Sequence, residues 1–387
     1  MTAAQSGVPP INFRSRFPAL DGIRALAAIM VFAFHYGGGA QGGILMRAFN
    51  AARLQGWAGV DIFFVLSGFL ITGILYDTRN DSGYFRRFYA RRCLRIFPAY
   101  YLVAALLLVL TPVFLYQWHT AHLLFLVYLG NIPAALSPSL YQLRARDPSA
   151  DVYLGHLWSL CVEEQFYLLW PLLVWMLRDR LKLIWAATGL SVAALMLRCW
   201  MVFGGANLRG GWLLRMLPFH MDALLIGAVL ALILRGPAAE RWQRLCRWLL
   251  LAAAGILTAL FLFDRAQYDL WMQTIGFTLI ALASAGLIGW VLSPASAVSR
   301  ALALKPLRVM GRYSYGFYIY HVLFAAAWAA LTAWLAGRLH SRPLASATVL
   351  VVNFTVTFLV AKASYDLFES RFLLKRTAFA YDSEQLP

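Results

Sequence analysis

The chain alternates between ten long apolar segments and short polar stretches. A helix that crosses the hydrocarbon core of a bilayer needs about 20 mostly apolar residues, and each of these segments approaches that length. They cover residues 20–36, 57–76, 97–116, 159–177, 183–203, 218–234, 248–263, 270–292, 313–336 and 345–366. The pattern predicts an all-α integral membrane protein, built as a bundle of about ten transmembrane helices.

A shorter apolar segment, "HLLFLVYLGNI" at His122–Ile132, is followed directly by Pro133. Its length is too small for a span. Non-helical backbone at membrane depth is tolerated only where protein buries it or where it lines a cavity. This segment is therefore expected to be re-entrant or interfacial.

Composition supports a membrane protein, because only 13% of the 387 residues are charged and 61% are hydrophobic, whereas soluble domains carry about 25% charged residues. The net charge of +17 follows the loops. With the N-terminus inside, 23 lysine and arginine residues fall in cytoplasmic segments and 9 in external ones. This bias predicts that both termini are cytoplasmic, and it explains the charge without nucleic acid as a partner. The protein is expected in the cell membrane.

Domain organisation is predicted to be simple. The polar first 22 residues contain no short apolar core, so no cleavable signal peptide is expected. We expect a cytoplasmic tail over 1–19, one membrane domain over 20–372 and a cytoplasmic tail over 373–387. The four cysteines show no spacing typical of a metal site, and no metal is predicted.

Two costly polar residues flank the first apolar stretch, "RALAAIMVFAFH" from Arg24 to His35. Eleven residues span about 16 Å of helix and return to within about 20° of the starting direction. Arg24 and His35 therefore share one face, with Arg24 at the cytoplasmic boundary and His35 at depth. Arg24 could be an ordinary positive-inside anchor and His35 a packing residue, but ionisable groups at depth more often mark functional sites.

A carboxylate and a hydroxyl interrupt the second segment, "GVDIFFVLSGFLITGIL". Asp61 lies toward the same side of the membrane as His35, so it could pair with His35 and orient the imidazole, although a glutamate could also hold His35. Ser67 lies deeper in the segment.

Five arginines occur within ten residues of "FRRFYARRCLRIFP" on the predicted cytoplasmic side: Arg86, Arg87, Arg91, Arg92 and Arg95. They could contact anionic lipid headgroups. Alternatively, they could bind a polyanionic cytosolic cofactor through bidentate contacts with its phosphates.

Two adjacent glutamates, Glu163 and Glu164, enter the apolar helix predicted from "HLWSLCVEEQFYLLWP", near Tyr167. Adjacent helical side chains point about 100° apart. At most one glutamate is therefore expected to face a given cavity, and the other to pair with an arginine of a neighbouring helix. Later spans contain further polar residues, which either hydrogen-bond to other groups of the bundle or contact a ligand: His220, Asp222, Tyr320 and His321.

Seven segments in order resemble the acyltransferase family 3 membrane proteins: "LDGIRALAAIMVFAFH", "GVDIFFVLSGFLITGIL", "FYARRCLRIFPAY", "HLWSLCVEEQFYLLWP", "MDALLIGAVLA", "GRYSYGFYIYH" and "YDLFESRF". The family transfers acyl groups, usually from acyl-CoA, to hydroxyls of sugars, glycans or antibiotics. Its basic residue and histidine, with ten residues between them, match Arg24 and His35. Two features depart from the family pattern: the chain has no room for an appended esterase-like domain, and His220 stands where relatives often have arginine. The chain looks most like the stand-alone actinobacterial enzymes that acylate macrolides.

The resemblance implies roles for these residues. Acetyl-CoA or another short acyl-CoA would be the co-substrate, and a macrolide or its sugar the hydroxyl acceptor. The implied catalytic residues are His35 as general base, Arg24, Asp61, Glu163 and Glu164. The implied cofactor-binding residues are Arg24, Arg86, Arg87, Arg91, Arg92, Arg95 and Ser67. The implied substrate-binding residues are Tyr167, His220, Asp222, Tyr320 and His321.

Other functions remain open from sequence. The acceptor could instead be a cell-surface glycan or a lipid-linked sugar. From another class, a transporter or flippase would use the buried ionisable residues as a proton relay, although the spans show no matched pair typical of inverted repeats.

Overall fold

The computed structural model describes residues 17–36, 50, 52–136, 138–204, 215–263, 269–293 and 296–381, and they are mainly helical. Helices α1 to α8 are Pro18–Tyr36, Gly59–Asp77, Tyr84–Phe114, Thr120–Leu126, Asn131–Leu136, Trp158–Leu177, Arg180–Phe203 and Leu217–Ile233. Helices α9 to α15 are Ala239–Phe263, Phe277–Val291, Ala297–Leu302, Lys305–Tyr320, Ala325–Leu339, Arg342–Ser364 and Ser370–Leu374. Most of the first tail and the end of the second, residues 1–16 and 382–387, lie outside the described residues, as do Arg14, Arg16, Arg47, Arg209 and Arg265 of the charge count.

Within the described part of the chain, eight helices are long and apolar enough to cross a membrane, and nine if α12 and α13 form one bent span. Helix α8, at 17 residues, is a shorter apolar helix. Its residues are apolar almost all round and mostly buried, which is typical of a helix inside a bundle. The prediction of an all-α, multi-span membrane protein is confirmed.

Three predicted segments differ from the observed helices. The seventh, predicted over 248–263, belongs to a helix that begins at Ala239. The ninth apolar segment, 313–336, is not one straight helix, because α12 and α13 meet at 89°. His321, Val322 and Leu323 lie at the break and are buried. Because His321 is the only polar residue of the three, the hydropathy of the segment does not reveal the bend. Helix α3 begins at Tyr84, well before residue 97, because the arginine-rich segment continues the span as helix.

Helices α2 and α8 cross with their backbones in close contact. A Cβ on Gly68 would collide with the carbonyl of Leu224, and a Cβ on Gly227 with the carbonyl of Val65. Small residues at a helix crossing permit this approach. The crossing brings Asp61 of α2 beside His220 of α8.

The segment between α3 and α6 contains the described strands, Gln142–Leu143 (β1) and Val152–Tyr153 (β2), which pair antiparallel with Gln142 opposite Tyr153. As its length indicated, the segment at His122–Ile132 does not span; it contains most of α4 and the start of α5. Gln165 of α6 holds this segment by donating from Nε2 to the Tyr128 carbonyl (3.0 Å) and to Asn131 Oδ1 (2.8 Å). Its position in the membrane stays a prediction.

Candidate active site

A cavity of about 570 Å³ lies between α1, α2, α3, α6, α12 and the C-terminal residues. Six arginines and three acidic side chains contribute to its wall, together with hydroxyl and aromatic groups. The lining includes eight of the site residues predicted from the sequence: Arg24, Ser67, Arg91, Arg92, Arg95, Glu163, Glu164 and Tyr167. The structure therefore brings together half of the residues that the sequence analysis singled out, from four different helices.

Arginines are concentrated where α1 and α3 begin. Arg91, Arg92 and Arg95 line the cavity, because residues spaced by three or four positions share one side of a helix. Arg24 pairs with Asp21 at 2.9 Å. The guanidinium of Arg92 lies 4.9 Å from the ring centroid of Tyr167.

The other two arginines of the α3 cluster lie outside the cavity. Arg87 faces Asp81, with 3.9 Å between their charged groups. The guanidinium of Arg86 lies 6.0 Å from the ring centroid of Phe379. The predicted five-arginine site is thus divided: Arg91, Arg92 and Arg95 line the cavity, and the two arginines of the preceding turn do not.

The C-terminal residues complete this end of the cavity. Arg376 and Tyr381 belong to the lining, and Tyr381 is buried. The Arg91 guanidinium lies 4.5 Å from the Tyr381 ring centroid and donates to the Phe379 carbonyl at 3.4 Å. These residues were not predicted as part of a site, because they follow the last apolar segment in a stretch with no motif.

Both glutamates of α6 line the cavity. The prediction that only one could face a single cavity is wrong, because this cavity is bounded by five helices and receives side chains that leave α6 about 100° apart. One turn later on α6, the Tyr167 hydroxyl forms a 2.6 Å hydrogen bond with Ser67 Oγ of α2. The carboxyl pair is therefore flanked by a hydroxyl pair that joins α6 to α2.

Two further hydroxyls of the lining, Ser159 Oγ and Tyr318 OH, are 2.6 Å apart. Tyr318 also hydrogen-bonds to the carbonyl of His156, at 2.9 Å. Neither residue was singled out from the sequence. The available signal was the spacing of Tyr315 and Tyr318 in "GRYSYGFYIYH", since residues three apart share a helix face, and both line the cavity.

Next to this hydroxyl pair is a group of three histidines. The ring centroid of His321 lies 5.3 Å from that of His156 and 5.1 Å from that of His35. His321 Nε2 is 3.4 Å from His35 Nδ1. His35 is exposed and lies outside the cavity, at the opposite end of α1 from Arg24.

The predicted pair of Asp61 with His35 is wrong. Asp61 instead accepts from His220 Nε2 at 2.6 Å, and both side chains are buried. The close crossing of α2 and α8 turns Asp61 toward α8, away from the partner that depth alone suggested.

Three predicted substrate-binding residues are occupied by other protein groups. Besides His220, Asp222 forms a two-point ion pair with Arg198 of α7, at 2.9 and 2.6 Å. The Tyr320 hydroxyl is 2.8 Å from Ser364 Oγ. These contacts place the three residues in the packing of the bundle, outside the cavity lining.

Among the described residues, no group of three or more His, Cys, Asp or Glu side chains is arranged to hold a metal ion. What the cavity offers is a basic end, two carboxyl groups and several hydroxyls. Such a cavity suits a polyanionic ligand with a long polar arm.

Comparison with known proteins gives the same assignment as the motifs. The acyltransferase family 3 model, described as an acyltransferase domain, matches residues 17–362. The O-acetyltransferase OatA of Staphylococcus aureus is 26% identical over 91% of this chain and 56% of its own length. The peptidoglycan O-acetyltransferase OatA of Listeria monocytogenes is 31% identical over 80% of this chain and 49% of its own length. The chain spans about half the length of these relatives.

No solved structure matches the chain. The family assignment therefore rests on sequence. The match to the family's sequence model runs from the first described residue almost to the end of α14. The chain belongs to acyltransferase family 3.

Proposed function

We propose that the protein is a membrane O-acyltransferase that moves an acetyl group from acetyl-CoA to a hydroxyl of a cell-surface glycan. The observation that carries the proposal is the cavity itself. Its arginines lie at one end, and its Ser159–Tyr318 hydroxyl pair adjoins the histidine group that includes His35.

The donor is inferred from the basic end of the cavity. Coenzyme A carries several phosphate charges, and arginine binds phosphate through paired N–H donors. Four arginines line one cavity and could bind a single ligand together: Arg24, Arg91, Arg92 and Arg95. Separate contacts with lipid headgroups would not require the arginines to share a cavity. Apolar lining residues such as Phe63 and Leu70 suit the less charged pantetheine arm.

The chemistry follows from a placed base and an activated thioester. His35 removes the proton of the acceptor hydroxyl, and the oxygen attacks the thioester carbonyl carbon. The new C–O bond forms, the C–S bond breaks, and the departing CoA sulfur receives the proton from His35. A positioned base contributes about 10²–10⁴-fold to such a step.

The acceptor is inferred from the relatives. The Listeria monocytogenes protein is named a peptidoglycan O-acetyltransferase, which supports a glycan over the macrolide that the family resemblance first suggested. A macrolide acceptor remains the second candidate, because the hydroxyl chemistry is the same.

The test uses the full chain in lipid nanodiscs with acetyl-CoA, and either peptidoglycan fragments or a macrolide as acceptor. Acceptor-dependent release of free CoA and an acetylated glycan are expected. Release with the macrolide alone would overturn the glycan assignment. Absence of CoA release with every acceptor would overturn the proposed acetyl-CoA-dependent transfer, as would be expected of a transporter.

The donor site has its own matched pair of variants. Arg92→Ala should raise the KM for acetyl-CoA at least about tenfold, since one charge-assisted hydrogen bond contributes about 1.5–3 kcal/mol. Arg86→Ala removes the same charge from the same helix outside the cavity and should leave KM unchanged. Equal increases in KM for both variants would contradict the proposed donor site.

A further inference from the structure

Three backbone carbonyls determine where the hydrogens of the histidine group reside. A carbonyl oxygen only accepts hydrogen bonds, so a ring nitrogen in contact with one must carry the hydrogen. His35 Nδ1 is 2.9 Å from the Val31 carbonyl oxygen, and His321 Nδ1 is 2.7 Å from that of Tyr318. His156 Nε2 is 2.9 Å from the Ile319 carbonyl oxygen. His35 and His321 are therefore Nδ1–H tautomers, and His156 is the Nε2–H tautomer.

The other nitrogen of each neutral ring then carries a lone pair. For His321 this is Nε2, which lies 3.4 Å from the hydrogen-bearing Nδ1 of His35. The Nδ1–H of His35 is thus shared between the Val31 carbonyl and the lone pair of His321. For His35 the lone pair is on Nε2, which leaves that atom as the basic nitrogen.

We propose that His321 is a positioning residue for His35: its Nε2 accepts from His35 Nδ1 and keeps Nε2 of His35 as the proton-accepting atom. This inference rests on the proposed acyl transfer. A neutral imidazole here occupies the place that a carboxylate takes in a Ser-His-Asp triad, where the third residue holds the tautomer and orientation of the base. The proton that His35 takes from the acceptor hydroxyl is later returned to the CoA sulfur, so His321 gains and loses none.

The surroundings of His321 restrict its ring to this orientation. The residue is buried, with 1% of its surface exposed. Its ring stacks on Phe317 with centroids 6.4 Å apart and planes 7° from parallel. The Tyr36 hydroxyl, from the end of α1, donates to the His321 carbonyl at 2.8 Å, which joins the backbone of His321 to the helix that carries His35.

The bend between α12 and α13 makes this arrangement possible. A straight helix through residues 313–336 would continue past His321, but the 89° break ends α12 at Tyr320. His321 is thereby the first residue of the turn, with its Nδ1 directed to the carbonyl of Tyr318 three residues earlier. The break that hydropathy does not reveal is thus next to the residue that orients His35.

The test compares His321→Gln with His321→Asn in nanodiscs. The longer Gln amide can place an acceptor near the position of Nε2, whereas Asn reaches only the position of Nδ1. His321→Asn should lower kcat about 100-fold, the lower limit for loss of a placed base, with the KM for acetyl-CoA unchanged. His321→Gln should recover kcat to within about tenfold of wild type. Equal losses in both variants, or wild-type kcat in His321→Asn, would overturn the positioning role.

A second measurement needs no substitution. The chain contains 7 histidines, so ¹⁵N-histidine labelling of the wild-type protein gives few signals, and ¹⁵N shifts report which ring nitrogen carries hydrogen. Nδ1–H forms of both His35 and His321 are expected, and an Nε2–H form of either overturns the inference. An active wild-type enzyme with the wrong tautomer would refute His321 alone. A wild type that releases no CoA would refute the proposed function and, with it, this role.

Discussion

The buried ion pair between Arg198 and Asp222 gives the sharpest test of how the bundle is stabilised. Both side chains are almost wholly buried, at 0% and 1% exposure. Arg198 contacts both carboxylate oxygens, and Thr278 Oγ1 donates to Asp222 Oδ2 at 2.6 Å. Arg198→Met keeps the bulk but leaves the carboxylate with one of its three donors, so it should lower the free energy of unfolding by about 3–5 kcal/mol.

The matched control removes both charges. Arg198→Met combined with Asp222→Leu leaves no uncompensated ion, and replacing a whole buried pair by apolar groups is neutral or stabilising by about 1–4 kcal/mol. Reversible unfolding of the purified proteins in mixed micelles would give the free energies and the coupling between the two sites. A loss under about 1 kcal/mol for Arg198→Met, or a double variant less stable than the single one, would refute the reasoning.

Two further substitutions test the α2–α8 crossing. Gly68→Ala should lower the free energy of unfolding by about 1–3 kcal/mol, because the new Cβ would collide with the Leu224 carbonyl. The control Gly189→Ala should be neutral or slightly stabilising in the same measurement, because no atom lies within 4 Å of the new Cβ. Similar losses in both variants would contradict the close crossing. Asp61→Asn should weaken the contact with His220 and lower the free energy of unfolding by about 1–3 kcal/mol, with kcat within about threefold of wild type. A kcat loss of about 100-fold, the size expected for loss of a placed base, would contradict a purely structural role for Asp61.

Helix identity was predictable from sequence because membrane spans carry a strong, length-limited signal. The arginines and glutamates of the cavity were also predictable, since Arg92 and Glu163 are conspicuous in apolar surroundings. Which residues touch was not predictable, because partners in a bundle depend on crossing geometry. Asp61 and His35 lie toward the same side of the membrane by residue count. Asp61 nevertheless pairs with His220, because α2 and α8 cross closely at their glycines.

Arg198 shows the same limit from the other direction. In the sequence it is a single arginine within an apolar segment with no evident partner, 24 residues before Asp222. Only the packing of α7 against α8 pairs the two. The bend after Tyr320 was equally hidden, because the residues of the turn are apolar apart from His321 and are buried in protein.

The cavity wall is drawn from both extremes of the described chain, with Asp21 and Arg24 near its start and Arg376 and Tyr381 at its end. At about 5–20 residues per second, the ribosome takes on the order of tens of seconds to produce the residues between them. The cavity is therefore one of the last features of the protein to be completed during synthesis. A nascent chain released before its final helix would insert most of its spans and still lack one side of the cavity.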